Sequence, residues 1–125
     1  MTSDRPIPHV LLVEDEHIVA AALSRGLRVC GAEVIGPAAT VSNALALIEA
    51  TPVIDGALVD INLRGIQAYP VVDALRARGI PTVLTTGYEP SVVPSRYRDV
   101  PVLQKPFDSA EAMGALFPMN QRGGT

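Results

Sequence analysis

One stretch of the sequence, GALVDINLRG at residues 56–65, joins an unbroken apolar run to an acid and then to a turn. The apolar residues 57–59 follow one another without the alternation of a strand that has one face in water. Such a run is typical of a strand covered on both faces, as in a parallel sheet. Asp60 ends the run and Gly65 closes the turn. A carboxylate at the end of a buried strand needs a physical reason.

The rest of the chain alternates between short apolar runs and segments with helical spacing. The predicted strands are residues 9–13, 32–38, 56–60, 81–86 and 101–105. The predicted helices are residues 16–30, a segment that follows Thr40 as N-cap, residues 71–78, and residues 108–117, which open on a capping box of Asp108 and Glu111. Residues 87–101 carry three prolines, so we expect any helix there to be short and irregular. The alternation favours an α/β sandwich, in which helices cover both faces of a parallel sheet.

Composition limits the classes of function. With 125 residues, of which 48% are hydrophobic, the chain suits one domain with a core of ordinary density. The formal net charge is −3 and Lys and Arg do not cluster, so the sequence offers no basic surface to nucleic acid. It has no signal-type segment and no apolar run of about 18 residues, which indicates a cytoplasmic protein outside the membrane. The single cysteine, Cys30, excludes an internal disulfide and is predicted to fill the core at the end of a helix.

Polar side chains follow four of the predicted strands at the point where each strand ends. Three acids, residues 14–16, follow the first strand; Asp60 ends the third, Thr86 the fourth and Lys105 the fifth. The carboxyl ends of parallel strands meet at one edge of the sheet, where the ligands of such folds bind. We therefore expect acids, a hydroxyl and an ammonium group to converge there.

The chemistry of this set favours phosphoryl transfer. Neighbouring carboxylates stay ionised at neutral pH when a cation joins them, and all-oxygen ligands suit Mg²⁺. A carboxylate can itself attack phosphorus, while Lys105 and Thr86 can hold phosphoryl oxygens. Each residue alone has an ordinary explanation, since acids suit a helix N-terminus and a lysine before proline suits a solvated loop. Their joint placement at strand ends favours Asp60 as a phosphate acceptor.

Four motifs in this order resemble the receiver domain of two-component response regulators: VLLVEDE (10–16), LVDINLRG (58–65), LTTGY (84–88) and LQKPF (103–107). The resemblance spans about residues 9–117, nearly the whole chain. It implies a flavodoxin-like, doubly wound (βα)5 sandwich with a five-stranded parallel sheet in the order 2-1-3-4-5. We expect residues 1–125 to form a single receiver domain with no output domain attached.

The resemblance also implies roles for the acids. Asp60 would accept a phosphoryl group from a histidine of a sensor kinase or of a phosphotransfer protein. The cofactor would be Mg²⁺, held by Asp15, Asp60 and the backbone carbonyl of Asn62, with Glu14 acting through water.

The resemblance also implies that Thr86 and Lys105 contact the phosphoryl oxygens and that the Lys105–Pro106 peptide bond is cis.

Two positions depart from the family. Its members usually carry an aromatic residue three positions before the lysine, as the rotameric switch partner of the threonine, whereas this chain has Val102. Proline commonly stands four positions after the acceptor, whereas this chain has Arg64.

The segment after the fourth strand differs as well, because residues 87–101 are short and rich in proline where the family has a regular fourth helix. That reduction and the sequence LTTGY are similar to a subgroup of single-domain regulators from alphaproteobacteria, whose signature is roughly Phe-Ala-Thr-Gly-x-Tyr. Tyr88 could then supply the aromatic side chain that Val102 lacks, or it is an ordinary half-buried ring. We expect output from the face formed by residues 87–104, which an unknown downstream protein reads or through which a homodimer forms.

Other functions fit the sequence less well. A phosphohydrolase with an aspartate nucleophile needs a second acid two residues later, where this chain has Asn62. We therefore expect no enzyme, but at most slow self-dephosphorylation. A flavodoxin needs a phosphate-binding loop after the first strand, where three acids would repel phosphate. A phosphorylation-independent interaction module with this fold stays open, as does a carrier or sink of phosphate.

Overall fold

The secondary structure of the computed structural model follows the predicted alternation of strands and helices. The structure describes residues 7–87 and 93–118. The strands are β1 (His9–Val13), β2 (Glu33–Ala38), β3 (Gly56–Asp60), β4 (Asn62–Leu63), β5 (Ile66–Gln67), β6 (Thr82–Thr86) and β7 (Val102–Gln104). The helices are α1 (His17–Val29), α2 (Val41–Ala50), α3 (Tyr69–Ala77) and α4 (Ser109–Leu116), with a 3₁₀ turn at Ser95–Tyr97.

Five strands form a parallel sheet in the order β2-β1-β3-β6-β7. Because β6 and β7 are the fourth and fifth predicted strands, the predicted flavodoxin-like order is confirmed. Every residue of β3 and β6 is buried, as the unbroken apolar pattern predicts for inner strands. Asp60 at the end of β3 lies beside Thr85 of β6, so these two strands end almost level.

Helices cover both faces of this sheet because successive side chains of a strand point to opposite faces. On one face, Val10 and Leu12 of β1 belong to a core shared with α1 and α4. On the other face, Leu11 and Val13 belong to a core shared with α2 and α3. The alternating side chains of a single strand therefore anchor two helical layers, and the strand ends between them are held firmly in place.

Two predicted helix caps are present. The side chain of Thr40 accepts a hydrogen bond from the N–H of Asn43 at 3.1 Å, and Asp108 and Glu111 form a capping box. α3 begins before its predicted start because Pro70 suits the first turn of a helix, where no N–H is needed. Across residues 7–87 and 93–118, no helix has the length and apolar character needed to cross a membrane.

The prediction that Cys30 fills the core is wrong, because this residue is exposed. α1 ends at Val29, and the chain then turns at Gly31, whose φ is +97°. Ala32 takes the buried place instead, and its N–H donates to the carbonyl of Leu27 at 3.0 Å. The turn at the glycine therefore directs the cysteine away from the sheet.

Residues 93–100 pack on α3 through an aromatic and ionic cluster. The ring of Tyr97, which is 3% exposed, stacks on Tyr69 with 4.5 Å between the ring centroids. Its hydroxyl donates to Asp73 at 2.9 Å, and Arg76 pairs with Asp99 at 3.0 Å. In this part of the chain the helical turn is three residues long, in agreement with the irregular helix that the prolines predict.

Replacing Tyr97 with alanine should lower the free energy of unfolding by about 3 kcal/mol, because a buried ring, its stacking and its hydrogen bond are all lost. Chemical denaturation followed by circular dichroism measures this loss. Ser95→Ala, an exposed change in the same turn, should stay within about 0.5 kcal/mol of the wild type. A loss below about 1 kcal/mol for Tyr97→Ala would show that the cluster does not hold this segment.

Candidate functional site

The ends of four strands bring the predicted polar residues to one edge of the sheet. Glu14 follows β1, Asp60 ends β3, Thr86 ends β6 and Lys105 follows β7. β1 and β3 are neighbours in the sheet, with Val13 opposite Val59, so the acids that come next lie side by side. One oxygen from each of Glu14, Asp15 and Asp60 lies within 4.8 Å of the others.

One ammonium group joins the two buried acids. Nζ of Lys105 lies 2.8 Å from Oδ2 of Asp60 and 3.2 Å from Oε1 of Glu14. Glu14 is 2% exposed and Asp60 5% exposed, so water solvates neither carboxylate well. Buried carboxylates stay ionised only with a cation or hydrogen-bond donors beside them, and Lys105 is that cation.

Backbone N–H groups bind the remaining oxygens of these acids. The N–H of Asn62 donates to Oδ1 of Asp60 at 3.0 Å, and the N–H of Glu16 donates to Oε2 of Glu14 at 3.1 Å. Together with Lys105, a donor is therefore present for each oxygen of the two carboxylates. Each backbone donor lies two residues after the acid that it binds, so the local turn fixes the orientation of the carboxylate.

Burial and neighbouring charges shift the protonation equilibria. Loss of hydration raises the pKa of Glu14 to about 7; the charge of Asp60 acts in the same direction, while the N–H of Glu16 and Lys105 oppose the shift. Burial lowers the pKa of Lys105, but its hydrogen bond to Asp60 and the charges of both acids raise the pKa by more, so that the pKa lies above its ordinary value. Lys105 is therefore fully charged at neutral pH, and Glu14 is close to its midpoint.

A tight hairpin follows the acid at the end of β3. β4 and β5 pair antiparallel, with Asn62 opposite Gln67, and leave Arg64 and Gly65 as a two-residue loop. The backbone φ is +55° at Arg64 and +85° at Gly65, the signs that a type I′ turn requires. Asn62 closes the turn, since its Oδ1 accepts the N–H of Gly65 at 2.7 Å.

These elements surround an open cavity of about 440 Å³. Its lining residues are Asp15, Glu16, Asp60, Asn62, Arg64, Gly65, Thr86, Gly87 and Lys105. The carbonyl of the buried Thr86 accepts the backbone N–H of Lys105 at 2.8 Å, which ties the ends of β6 and β7 together. A lining that combines acids with two cations suits a small oxyanion that binds together with a metal ion.

Most of the predicted site residues meet at this cavity. Val102 does not line it; it is half-buried and packs against the core shared with α2 and α3. Tyr88 lies outside the described residues. The Lys105–Pro106 peptide bond is cis, as expected. The sequence assigned no role to Arg64, and the only signal was that it stands where the family commonly has proline.

The raised pKa of Glu14 predicts that the metal-free protein loses stability as the pH rises. Below the ordinary value of 4.5 both the folded and the unfolded state hold the Glu14 proton, whereas between 4.5 and about 7 mainly the folded state holds it. The free energy of unfolding should therefore fall across this window, by about 2 to 3 kcal/mol. Glu14→Gln should remove this fall. Denaturation at several pH values in EDTA measures both.

Glu49→Gln is the matched control, because it removes a carboxylate from the exposed surface of α2. It should keep the pH dependence of the wild type. If Glu14→Gln keeps the same dependence too, the Glu14 carboxylate is not the group whose proton links stability to pH.

Comparison with known proteins shows similarity over almost the whole chain. The chain is 44% identical to SdrG from Sphingomonas melonis Fr1, covers 97% of it with 89% of its own length, and superposes with a TM-score of 0.76. The BeF3-activated conformation of SdrG from Pseudomonas melonis Fr1 is 46% identical over 86% of this chain and 94% of that chain, with a TM-score of 0.74. The PhyR response regulator REC domain of Erythrobacter litoralis is 27% identical over 91% of this chain and 93% of that chain, with a TM-score of 0.76.

The curated relatives match over a shorter stretch. The transcriptional regulatory protein PrrA of Mycobacterium tuberculosis is 46% identical over 71 residues, which are 56% of this chain and 29% of PrrA. No protein-family model matches the chain. The similarity to SdrG and to the REC domain of PhyR nevertheless covers nearly every element of the fold, and the chain belongs to the family of response regulator receiver domains.

Proposed function

We propose that the protein is a phosphoacceptor response regulator of a two-component phosphorelay. Asp60 accepts a phosphoryl group from a histidine of a sensor kinase or of a phosphotransfer protein, and the phosphorylated state presents a changed surface to a partner protein. The observation that carries the proposal is the position of Asp60, which lines the cavity 2.8 Å from the ammonium of Lys105. A BeF3-activated conformation of the relative SdrG supports it.

The transfer is a substitution at phosphorus. One carboxylate oxygen of Asp60 forms a bond to phosphorus while the P–N bond to the donor imidazole breaks and its electron pair returns to the imidazole nitrogen. The products are an acyl phosphate on Asp60 and the free donor histidine, so phosphate is conserved and Asp60 handles no proton.

The residues around Asp60 position it and bind the incoming charge. The N–H of Asn62 holds Oδ1 of Asp60 at 3.0 Å, which orients the carboxylate before transfer. Lys105 donates to Oδ2, and its ammonium can donate to a phosphoryl oxygen instead as the new bond forms. Thr86 ends the neighbouring strand and lines the same cavity, where its hydroxyl can bind a further phosphoryl oxygen.

The donor set fits a hard metal ion, because carboxylate oxygens from three residues lie within 4.8 Å of one another. Asp15, Asp60 and the backbone carbonyl of Asn62, with Glu14 through water, would hold Mg²⁺, whose charge when bound would offset that of the carboxylates and phosphoryl oxygens. Within the described part of the chain Asp15 makes no hydrogen bond or ion pair, so its oxygens stay available for a ligand.

The signal to a partner protein would follow from new contacts of Lys105 and Thr86 with the phosphoryl group. A phosphoryl group adds about 1.5 to 2 negative charges at a point where Lys105 now binds two carboxylates. Both residues adjoin the face formed by residues 87–104, so the population of conformers on that face can shift with phosphorylation. Val102 has no ring to reorient, and Tyr88 is the aromatic residue that the sequence offers instead.

Incubation with phosphoramidate and Mg²⁺ should add one phosphoryl group to the wild-type protein, as intact mass measures. EDTA should abolish the gain, because the carboxylates then repel the donor. Asp60→Asn should abolish it as well, because an amide is not a nucleophile for phosphorus. Glu49→Gln, which removes an exposed carboxylate from α2, should gain phosphate as the wild type does.

Wild-type protein that is folded, saturated with Mg²⁺ and inert towards phosphoramidate and acetyl phosphate would contradict the proposal. The phosphorylation-independent interaction module would then be the better interpretation of the fold. Phosphate gain that persists in Asp60→Asn would place the acceptor on another residue.

A further inference from the structure

Arg64 occupies the rim of the cavity without a role in the fold. It sits at the tip of the β4–β5 hairpin, directly after the strand that ends in Asp60, and lines the same cavity as Thr86 and Lys105. Its side chain is exposed, whereas Leu63 beside it is buried and anchors the hairpin in the core. The hairpin therefore places Arg64 at the cavity that contains Asp60 without burying its side chain in the core.

The backbone at this position does not favour arginine. The φ of +55° lies in the left-handed region, which costs residues other than Gly, Asn and Asp about 1 kcal/mol or more. The first loop position of a type I′ turn is best filled by Asn, Asp or Gly. Turn stability therefore gives no reason for arginine at this position.

The guanidinium of Arg64 is also unengaged within the described part of the chain. Three other arginines there bind carboxylates or carbonyls: Arg76 binds Asp99, Arg96 binds Asp73, and Arg78 binds the carbonyls of Ile48, Thr51 and Pro52. The exposed side chains of Arg25, Arg28 and Arg98 make no such contact with a described residue, but these three residues do not line the cavity. Arg64 makes no hydrogen bond or ion pair with any described residue, although acids line the same cavity.

The resting site has one cation for two buried acids, and that cation is already bound. Lys105 contacts both Glu14 and Asp60 and can offer only a point charge to a phosphoryl group. A phosphoryl group has three acceptor oxygens, and a guanidinium can bind two of them with parallel N–H donors. Arg64 is the other cation that lines the cavity.

We propose that Arg64 is a second phosphoryl-binding cation, which donates hydrogen bonds to oxygens of the group attached to Asp60. It stays protonated and exchanges no atoms with that group, so it stabilises the transferred charge and the phosphorylated product without entering the substitution at phosphorus. The inference rests on the proposed phosphoacceptor function, since it needs a phosphoryl group at Asp60.

Two variants separate this role from the stability of the turn. Arg64→Asn removes the guanidinium and introduces a residue that suits a type I′ turn, so the variant should be at least as stable as the wild type. It should bind beryllofluoride, in the presence of Mg²⁺, about tenfold more weakly and gain phosphate from phosphoramidate about tenfold more slowly. Arg64→Lys keeps the charge but not the planar fork and should fall within about threefold of the wild type.

Arg28→Gln is the matched control, because Arg28 is exposed in the last turn of α1, at the opposite end of that helix from the acids that follow β1. Its affinity for beryllofluoride, measured by titration calorimetry, should equal that of the wild type. Repeating the titrations at about 0.5 M salt screens distant charges, so an Arg64→Asn defect that persists there indicates direct contact.

Equal affinities of Arg64→Asn and Arg28→Gln, with normal phosphorylation of the wild type, would overturn the role of Arg64 alone. A defect that disappears at high salt would overturn direct contact and leave long-range attraction. If the wild type neither binds beryllofluoride nor gains phosphate, the phosphoacceptor function fails and the role of Arg64 fails with it.

Discussion

The ion pair between Lys105 and two buried acids is the constraint on which the rest of the site depends. Lys105 and Glu14 are 91 positions apart in the chain, and Asp60 lies between them in sequence and beside both in space. The three residues follow or end different strands, so the parallel sheet has to be complete before their charges can meet. Conversely, without the ammonium two carboxylates that are almost fully buried would repel each other at the end of that sheet. The site therefore requires the complete sheet, and the ammonium of Lys105 offsets part of the cost of burying two acids side by side.

The sequence predicts the features of this molecule that depend on repetition along the chain. The unbroken apolar run that ends at Asp60 predicts an inner strand, and the alternation of strands and helices predicts a parallel sheet covered by helices. The order of the strands is implied by the resemblance to receiver domains, and the structure confirms it. The convergence of Glu14, Asp60 and Lys105 follows from the same logic, since parallel strands end at one edge. The inner strand, the parallel sheet and the convergence of charges need only periodicity and polarity, whereas the strand order needs the resemblance.

The features that the sequence does not reveal depend on single backbone angles or on pairs of distant residues. Cys30 is exposed because the chain turns at Gly31, and helical spacing carries no information about where that turn comes. The hairpin after β3 depends on two left-handed residues, of which Arg64 is not a residue that signals such a turn. The stacking of Tyr97 on Tyr69 joins two segments that no motif connects. The acceptor site can thus be predicted from the sequence, whereas the position of Arg64 at the rim of its cavity cannot.

The donors around the two buried carboxylates also bear on selectivity. Lys105 and the N–H groups of Asn62 and Glu16 are already bound to carboxylate oxygens, so these three donors are not vacant for an anion in the resting cavity. Inorganic phosphate or sulfate in the surrounding solution would have to displace a carboxylate that cannot leave, against the charge of the acids that line the cavity. A phosphoryl group joined covalently to Asp60 is held beside these donors by the bond itself, so it does not lose the translational freedom that a free anion loses on binding. The contacts that orient the resting acids would thereby weaken the binding of free anions at the floor of the cavity, so that occupancy beside Asp60 reports transfer from a donor and not the ambient phosphate concentration.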